Sequence, residues 1–159
     1  MVNIRLIAVG KIKEDYLKNE INEYLKRLSR YTKISIIEVD DEKIINNSSL
    51  KEDEKVKENE GKRLLKQIKE KDFVLLIDLH GQELYSIEFS NKFLQITNTN
   101  SNIDIVIAGS LGFSNDVIER ANYRLCLSKM TFTHQMTRAI VLEQIYRAFK
   151  IINNETYHK

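Results

Sequence analysis

The sequence predicts an α/β fold, with a parallel-rich sheet flanked by helices. Apolar segments of strand length alternate with amphipathic segments of helix length along the whole chain. Two segments, residues 73–79 and 103–108, are almost entirely apolar, which is typical of central strands buried on both faces of a parallel sheet. The chain has 159 residues without an internal repeat or linker, so we expect a single domain covering residues 1–159.

The first half of the chain supplies two strands and two helices. Residues 2–9 are rich in apolar side chains up to Gly10, and residues 33–39 are rich in isoleucine, so both segments are predicted strands. Residues 14–30 place apolar side chains at helical spacing, which predicts a helix. Residues 50–70 are highly charged with few apolar anchors, which indicates a helix that is mostly solvated.

The middle of the chain adds two central strands and a helix. Residues 73–79 form the first of these strands, and we expect His80-Gly81 to end it. Residues 86–96 follow with helical periodicity, and Ser86 suits the N-cap position. Residues 103–108 form the second central strand.

The last third begins with a glycine-containing turn, a short helix and a short strand. Residues 109–112 read Gly-Ser-Leu-Gly, and Ser114 is expected to cap a helix that runs through Asn122. Residues 125–127 form the last predicted strand, in which Cys126 is expected to be a small buried core residue.

The longest helical pattern follows Thr133. Its apolar side chains lie on more than one side of the predicted helix, so we expect part of this surface to stay exposed in a monomer and to mark an interface. The set comprises Ile140, Val141, Leu142, Ile145, Phe149 and Ile152.

The composition argues against several kinds of site and classes of protein. The chain is 42% hydrophobic and 30% charged with a net charge of +2, which is ordinary for a soluble protein and does not by itself predict nucleic-acid binding. One cysteine and three histidines exclude an internal disulfide and make a structural zinc site improbable. No apolar run approaches the roughly 20 residues of a membrane span, and the first strand is unlike a signal peptide. We therefore expect a cytoplasmic protein with no metal and no membrane contact.

Several separated motifs carry a resemblance. They are IRLIAVGKIKEDY near the start, SKMTFTHQMTRAIVLEQIYRAFKI over residues 128–151, and the terminal Tyr-His-Lys. Together they resemble the large-subunit ribosomal RNA methyltransferase H family of the SPOUT methyltransferases, over the whole chain. The resemblance implies a C-terminal deep trefoil knot and a homodimer in which each active site borrows groups from the other subunit.

The resemblance also implies an activity. The cofactor would be S-adenosyl-L-methionine, and the substrate would be N3 of a pseudouridine in helix 69 of 23S rRNA, in the assembled 70S ribosome. Methyl transfer from a sulfonium is an in-line displacement by an activated donor, so the protein chiefly supplies positioning and favours a deprotonated nucleophile.

Three loops are candidates for the cofactor pocket, because ligands of open α/β sheets bind outside the carboxyl ends of strands. By resemblance, the first loop contributes Ile77, and the second contributes Ala108, Gly109 and Gly112. The third is the whole segment Leu127, Ser128, Lys129, Met130, Thr131 and Phe132.

Two positions depart from the family pattern. Ala108 stands where the family usually has another glycine, and Thr133 stands where it usually has proline. The added methyl group would cost about 1–3 kcal/mol if it overpacks the pocket. Neither change removes a chemical group that the reaction needs.

Four residues are candidates for the chemistry. The resemblance favours Tyr157 and His158, and the first turns of the last helix offer His134 and Arg138. Each has a simpler interpretation: the terminal residues as a frayed solvated tail, His134 as a packing residue, and Arg138 as a surface charge. The sequence does not identify the general base.

Two other functions stay open beside the methyltransferase. Ala108 and Thr133 motivate a ribosome- or RNA-binding paralogue that no longer catalyses, and the fold class alone fits a generic α/β nucleotide or anion binder. Cofactor titration separates the first hypothesis from the binder, and methylation of ribosomes separates it from the paralogue.

Overall fold

The computed structural model describes residues 1–159 as a parallel five-stranded sheet with helices on both faces. The strand order is β2-β1-β4-β3-β5, and every pairing between neighbours is parallel. The strands are β1 (Asn3–Val9), β2 (Lys33–Val39), β3 (Phe73–Glu83), β4 (Asn102–Ile107) and β5 (Tyr123–Cys126). The predicted fold class is therefore confirmed in its sheet.

Five helices connect and follow the strands. They are α1 (Asp15–Leu28), α2 (Leu50–Gln67), α3 (Ser86–Thr99), α4 (Asn115–Arg120) and α5 (His134–Ile152). The helix α5 packs between α1 and α3 on one face of the sheet, and α2 packs with α4 on the other. Each face encloses its own apolar core, the larger around α5. No helix is both long and apolar enough to cross a bilayer.

Local sequence signals account for several helix starts. Ser49 caps α2 by accepting from the N–H of Glu52, whose carboxylate in turn accepts from the N–H of Ser49. Ser114 caps α4 as predicted, through the N–H of Val117. Ser86 is the first residue of α3 and not its N-cap, a position that Tyr85 occupies.

The strand β3 is longer than its apolar segment. His80-Gly81 does not end it: the strand continues to Glu83, and after an irregularity Gln82 and Glu83 pair with Leu125 and Cys126 of β5. Gly81 packs so closely on β5 that a β-carbon there would lie 2.6 Å from the carbonyl carbon of Arg124. The pattern prediction was wrong here because pairing with β5 stabilises a polar extension that has no periodic signal of its own.

The apolar surface of α5 is mostly covered within the chain. Leu142 and Ile145 are fully buried, and Val141, Ala148 and Phe149 are buried in the same core. Only Ile140 and Ile152 stay half-buried. The part of this surface that was expected to stay exposed is therefore limited to these two side chains, because α1 and α3 both pack against the helix.

Candidate active site

The three predicted loops meet at one edge of the sheet. Ile77 of β3 pairs with Ile107 of β4 on one side and with Leu125 of β5 on the other. The second loop begins at the residue after Ile107, and the third begins two residues after Leu125. The sheet order therefore brings together the three loops that the sequence placed in a pocket.

The second loop is a tight turn with open space beside it. The N–H of Gly112 donates to the carbonyl of Gly109 over 3.2 Å, and Gly112 has a φ of +88°, which favours glycine. A β-carbon at Gly112 would meet no atom within 4 Å. At Gly109 it would lie 2.8 Å from a carboxylate oxygen of Glu60, so the side of the loop that faces α2 is closed.

Glu60 is an acid buried beneath this loop. Only 4% of its surface is exposed, and Oε2 accepts from the N–H of Glu42 over 3.0 Å. Oε1 is buried without any hydrogen-bond partner. Burial raises the pKa of Glu60 above its usual range.

The third loop is held by local hydrogen bonds. The thiol of Cys126, buried as expected, donates to the carbonyl of Ser128 over 3.1 Å, and the hydroxyl of Ser128 accepts from the N–H of Met130 over 3.0 Å. The side chains beyond this turn face solvent: Met130 is 76% exposed and Phe132 is 37% exposed. The loop thus presents polar backbone and exposed apolar side chains together, as ligand sites commonly do.

Thr133 and His134 connect the third loop to α5. The Thr133 hydroxyl caps the helix by accepting from the N–H of Met136 over 3.2 Å, so threonine supplies a cap where the family usually has proline. His134 packs on Gly10, where a β-carbon would lie 3.2 Å from its ring. Its Nδ1 is buried without a partner, and burial followed by the charge of Arg138 lowers the pKa of His134.

Arg138 is an interior residue and not a surface charge. Its side chain is fully buried and forms an ion pair with Glu38. Its guanidinium also donates to the carbonyl oxygens of Val9 and Gly10, over 3.1 and 2.7 Å. These bonds fix the start of α5 to the ends of β1 and β2, so Arg138 positions the helix that follows the third loop.

The C-terminal tail is docked on the protein and is not a frayed end. The Tyr157 hydroxyl donates to Glu143 over 3.0 Å and lies 3.4 Å from the Tyr24 hydroxyl. Its ring packs edge-on against Tyr146, with 4.9 Å between the centroids. Burial, together with these hydrogen bonds, raises the pKa of Tyr157 well above its usual value.

His158 is held beside the same helix. Arg147 pairs with Glu143, four residues earlier in α5, and its guanidinium lies 4.8 Å from the centre of the Tyr157 ring. A second nitrogen of Arg147 lies 3.1 Å from Nδ1 of His158. Arginine can only donate, so Nδ1 accepts, and a neutral His158 carries its proton on Nε2.

Comparison with known proteins identifies the family. A family model described as predicted SPOUT methyltransferase matches residues 2–158. The ribosomal RNA large subunit methyltransferase H of Clostridium tetani (strain Massachusetts / E88) is 54% identical over 159 residues, which cover 99% of this chain and 100% of that protein. The protein of the same name in Ruminiclostridium cellulolyticum is 52% identical over 159 residues, with the same coverage. Ribosomal RNA large subunit methyltransferase H 1 of Clostridium perfringens (strain SM101 / Type A) is 54% identical over 160 residues, again with that coverage.

The chain belongs to the SPOUT methyltransferase family. Its relatives of the methyltransferase H group match it from end to end, which confirms the resemblance seen in its motifs. The deep trefoil knot, with residues from Leu127 onward threaded through the loop after Ala108, stays a prediction that comes with this family.

The tail lies some distance from the three loops of its own SPOUT chain. Tyr157 contacts Glu143, which is nine residues beyond His134 in α5. At a rise of about 1.5 Å per residue, these two helix positions are about 14 Å apart. The structure thus brings the three candidate loops together, whereas Tyr157 and His158 contact residues of α1 and α5 and not these loops within one chain.

Sequence reasoning missed three acids near this edge of the SPOUT fold. Glu38 pairs with Arg138, Glu60 lies beneath Gly109, and Asp78 is buried in an ion pair with Arg124 over 2.7 Å. Two of these acids could have been found from features of the sequence. Asp78 is a lone acid in an apolar strand, and Glu60 precedes Gly61, the only glycine inside α2, which indicates close packing at that point.

Proposed function

We propose that this protein uses S-adenosyl-L-methionine to methylate N3 of a pseudouridine in helix 69 of 23S rRNA, on the assembled 70S ribosome in the cytoplasm. The observation that carries the proposal is the meeting of three loops at the adjacent carboxyl ends of β3, β4 and β5. The relatives named ribosomal RNA large subunit methyltransferase H, which match the full length of the chain, support an rRNA substrate.

The residues at this edge suit such a cofactor. Ile77 and Leu127 are half-buried and offer apolar surface for an adenosine group, and the third loop offers backbone groups for the adenine edge. The open space beside Gly112 leaves room for backbone contact. Ala108 is half-buried at the start of the turn. We therefore assign the pocket to these three loops.

The cofactor supplies an electrophilic methyl group on a sulfonium, so the protein's part is orientation and stabilisation of the nucleophile. The N3–H of pseudouridine is a weak acid. Its proton passes to solvent as N3 takes up the methyl group, and the negative charge that develops meanwhile spreads over the base and its carbonyl oxygens. We assign His158 the role of donating from Nε2 to this developing charge, with Arg147 fixing the tautomer. Tyr157 keeps its proton, because its pKa is raised, and it orients the tail through Glu143.

A homodimer would resolve the separation between the tail and the loops. Tyr157 and His158 are held beside the middle of α5 by Tyr24, Tyr146 and Arg147, so they do not swing to the loops of the same chain. The family's borrowed active-site groups suggest the arrangement. We propose that the tail of one protomer faces the cofactor loops of its partner.

The test is methyl transfer from labelled S-adenosyl-L-methionine to 70S ribosomes that lack the modification. We expect incorporation by the wild-type protein and a loss of at least about a hundredfold in His158→Ala, consistent with removal of one group that stabilises transition-state charge. Thr156→Ala is the matched control, since its side chain is exposed and lies in the same tail.

The outcomes also separate the alternatives. Cofactor binding without incorporation by the wild-type protein would favour a paralogue that binds the ribosome and no longer catalyses. Absence of cofactor binding would favour the generic nucleotide or anion binder. Equal incorporation by His158→Ala and wild type would remove His158 from the chemistry and leave the methyltransferase assignment standing.

A further inference from the structure

The candidate site contains a buried carboxyl group that has no ion-pair partner and that the reaction described above does not use. The carboxyl group of Glu60 projects from α2 against the backbone of Gly109, with Oε1 unpartnered and 4% of the residue exposed. Because Gly109 has no side chain, nothing separates this carboxyl group from the backbone of the second loop. A buried acceptor without a partner is costly, so its presence at this point of the site calls for an explanation.

The surroundings of Glu60 do not neutralise it. Its Oε2 accepts from the N–H of Glu42. Asp41 and Glu42 repel the carboxylate, and only Arg63 attracts it. Arg63 is already engaged with Glu42 and with the carbonyl of Asp40. The loop itself, residues 108–114, contains no charged side chain.

We propose that Glu60 is a charge-selectivity residue of the cofactor pocket, which favours the sulfonium cofactor over its neutral thioether product. This inference rests on the proposed function, since it takes S-adenosyl-L-methionine as the ligand of the three loops. Methyl transfer converts the sulfonium into the uncharged thioether of S-adenosyl-L-homocysteine. A carboxylate beneath the second loop attracts the first ligand and not the second, and therefore promotes exchange of product for fresh cofactor.

Binding of the sulfonium cofactor should change the protonation state of Glu60. Burial raises the pKa of Glu60 in the free protein, so the carboxyl group is partly protonated at a pH where an exposed glutamate is ionised. A cation bound nearby favours the carboxylate, so binding of the sulfonium releases a proton from Glu60 to solvent. Binding of the thioether releases none from this group.

The first measurement uses the wild-type protein. Isothermal titration calorimetry with S-adenosyl-L-methionine, in buffers of different ionisation enthalpy, counts the protons released between about pH 5 and pH 8. We expect release with S-adenosyl-L-methionine that exceeds release with S-adenosyl-L-homocysteine, because the methionine portions of the two ligands carry the same ionisable groups. Equal proton release for the two ligands would overturn the inference.

The second measurement compares two variants. Glu60→Gln keeps the shape and the hydrogen bond from Glu42, and Glu58→Gln removes an exposed charge from the same helix. We expect Glu60→Gln to lower the preference for the sulfonium over the thioether by about tenfold, the effect of two unit charges about 12 Å apart at an effective dielectric near 20. Glu58→Gln should leave the preference unchanged. Glu60→Asp, which keeps the charge, should retain part of the preference.

The outcomes are distinct from those that test the proposed function. An unchanged ratio of the two dissociation constants in a folded Glu60→Gln protein would overturn the inference and leave the methyltransferase assignment intact. Wild-type protein that binds neither ligand would overturn both. If thermal melting shows that Glu60→Gln is unfolded, the proton count on the wild-type protein decides the question alone.

Discussion

At the scale of single residues, Arg138 holds the start of α5 in place near the site. Its buried guanidinium binds Glu38 and the carbonyl oxygens of Val9 and Gly10. Arg138→Met keeps much of the volume but leaves these acceptors without a donor. We expect the free energy of unfolding to fall by about 2–4 kcal/mol in urea denaturation, below the full cost of a buried pair because Glu38 is partly exposed.

The control for this prediction is an exposed arginine. Arg27→Met removes an exposed ion pair with Glu23, in which the two side chains are 42% and 49% exposed, and it should change the free energy of unfolding far less than Arg138→Met does. Similar losses of unfolding free energy in the two variants would contradict a structural role for the buried contacts of Arg138.

The lowered pKa of His134 should make the stability of the protein depend on pH. Its pKa is lowered in the folded protein by burial and by Arg138, whereas the unfolded chain keeps the ordinary value of 6.5. The unfolded state therefore binds more protons as the pH falls below about 6.5, and stability is lost in that direction. We expect His134→Gln to show a shallower loss of unfolding free energy than wild type between about pH 7 and pH 5. Parallel curves would contradict the assignment.

At the scale of elements, α5 depends on its N-cap. Thr133 takes the position that proline usually has in the family, and its hydroxyl accepts from the N–H of Met136. Thr133→Ala should lower the free energy of unfolding by about 1 kcal/mol, because the first turn of the helix loses its side-chain cap. Thr131→Ala, in the exposed part of the same loop, should have no measurable effect in the same denaturation series.

The elements also show how far sequence reasoning reached. Periodicity, apolar runs and capping residues together located all five strands and all five helices, because burial and helix capping impose their patterns on local sequence. It missed the extension of β3 past His80-Gly81, which is set by pairing with Leu125 and Cys126 about 43 residues away in the chain. Such pairings leave no local trace.

The candidate site was likewise only partly predictable from the sequence. The three loops could be predicted, because parallel strands end at a shared edge. The burial of Arg138 could not, since its partners Val9 and Gly10 lie 129 and 128 residues earlier. The docking of Tyr157 against Tyr24 was missed for the same reason, and a terminal tripeptide without periodicity resembles a loose end.

At the scale of the whole molecule, we predict a homodimer. Most apolar side chains of α5 are covered within the chain, so the interface needs further exposed surface. The largest exposed apolar side chains near the site are Leu79, Met130, Phe132 and Met136. Their grouping around the three loops suits an interface that brings a partner's tail to the pocket. Light scattering at micromolar concentration should give the mass of two chains.

Substitution of an exposed apolar residue by glutamate tests where the dimer interface lies. Met136→Glu, at a side chain 43% exposed in the first turn of α5, should weaken the dimer. Ile87→Glu, at a side chain 49% exposed on α3, should not. A wild-type monomer, or equal dimer strength in the two variants, would contradict this placement.

The central claim is that this SPOUT protein methylates one base of the ribosome, and mass spectrometry of helix 69 tests it most directly. The protein is incubated with S-adenosyl-L-methionine and with 70S ribosomes that lack the modification. The rRNA fragment is then sequenced by tandem mass spectrometry. The prediction is a single added methyl group on a pseudouridine, placed at N3 by fragmentation and absent without cofactor. An unmodified helix 69, or a methyl group elsewhere in the 23S rRNA, would contradict it.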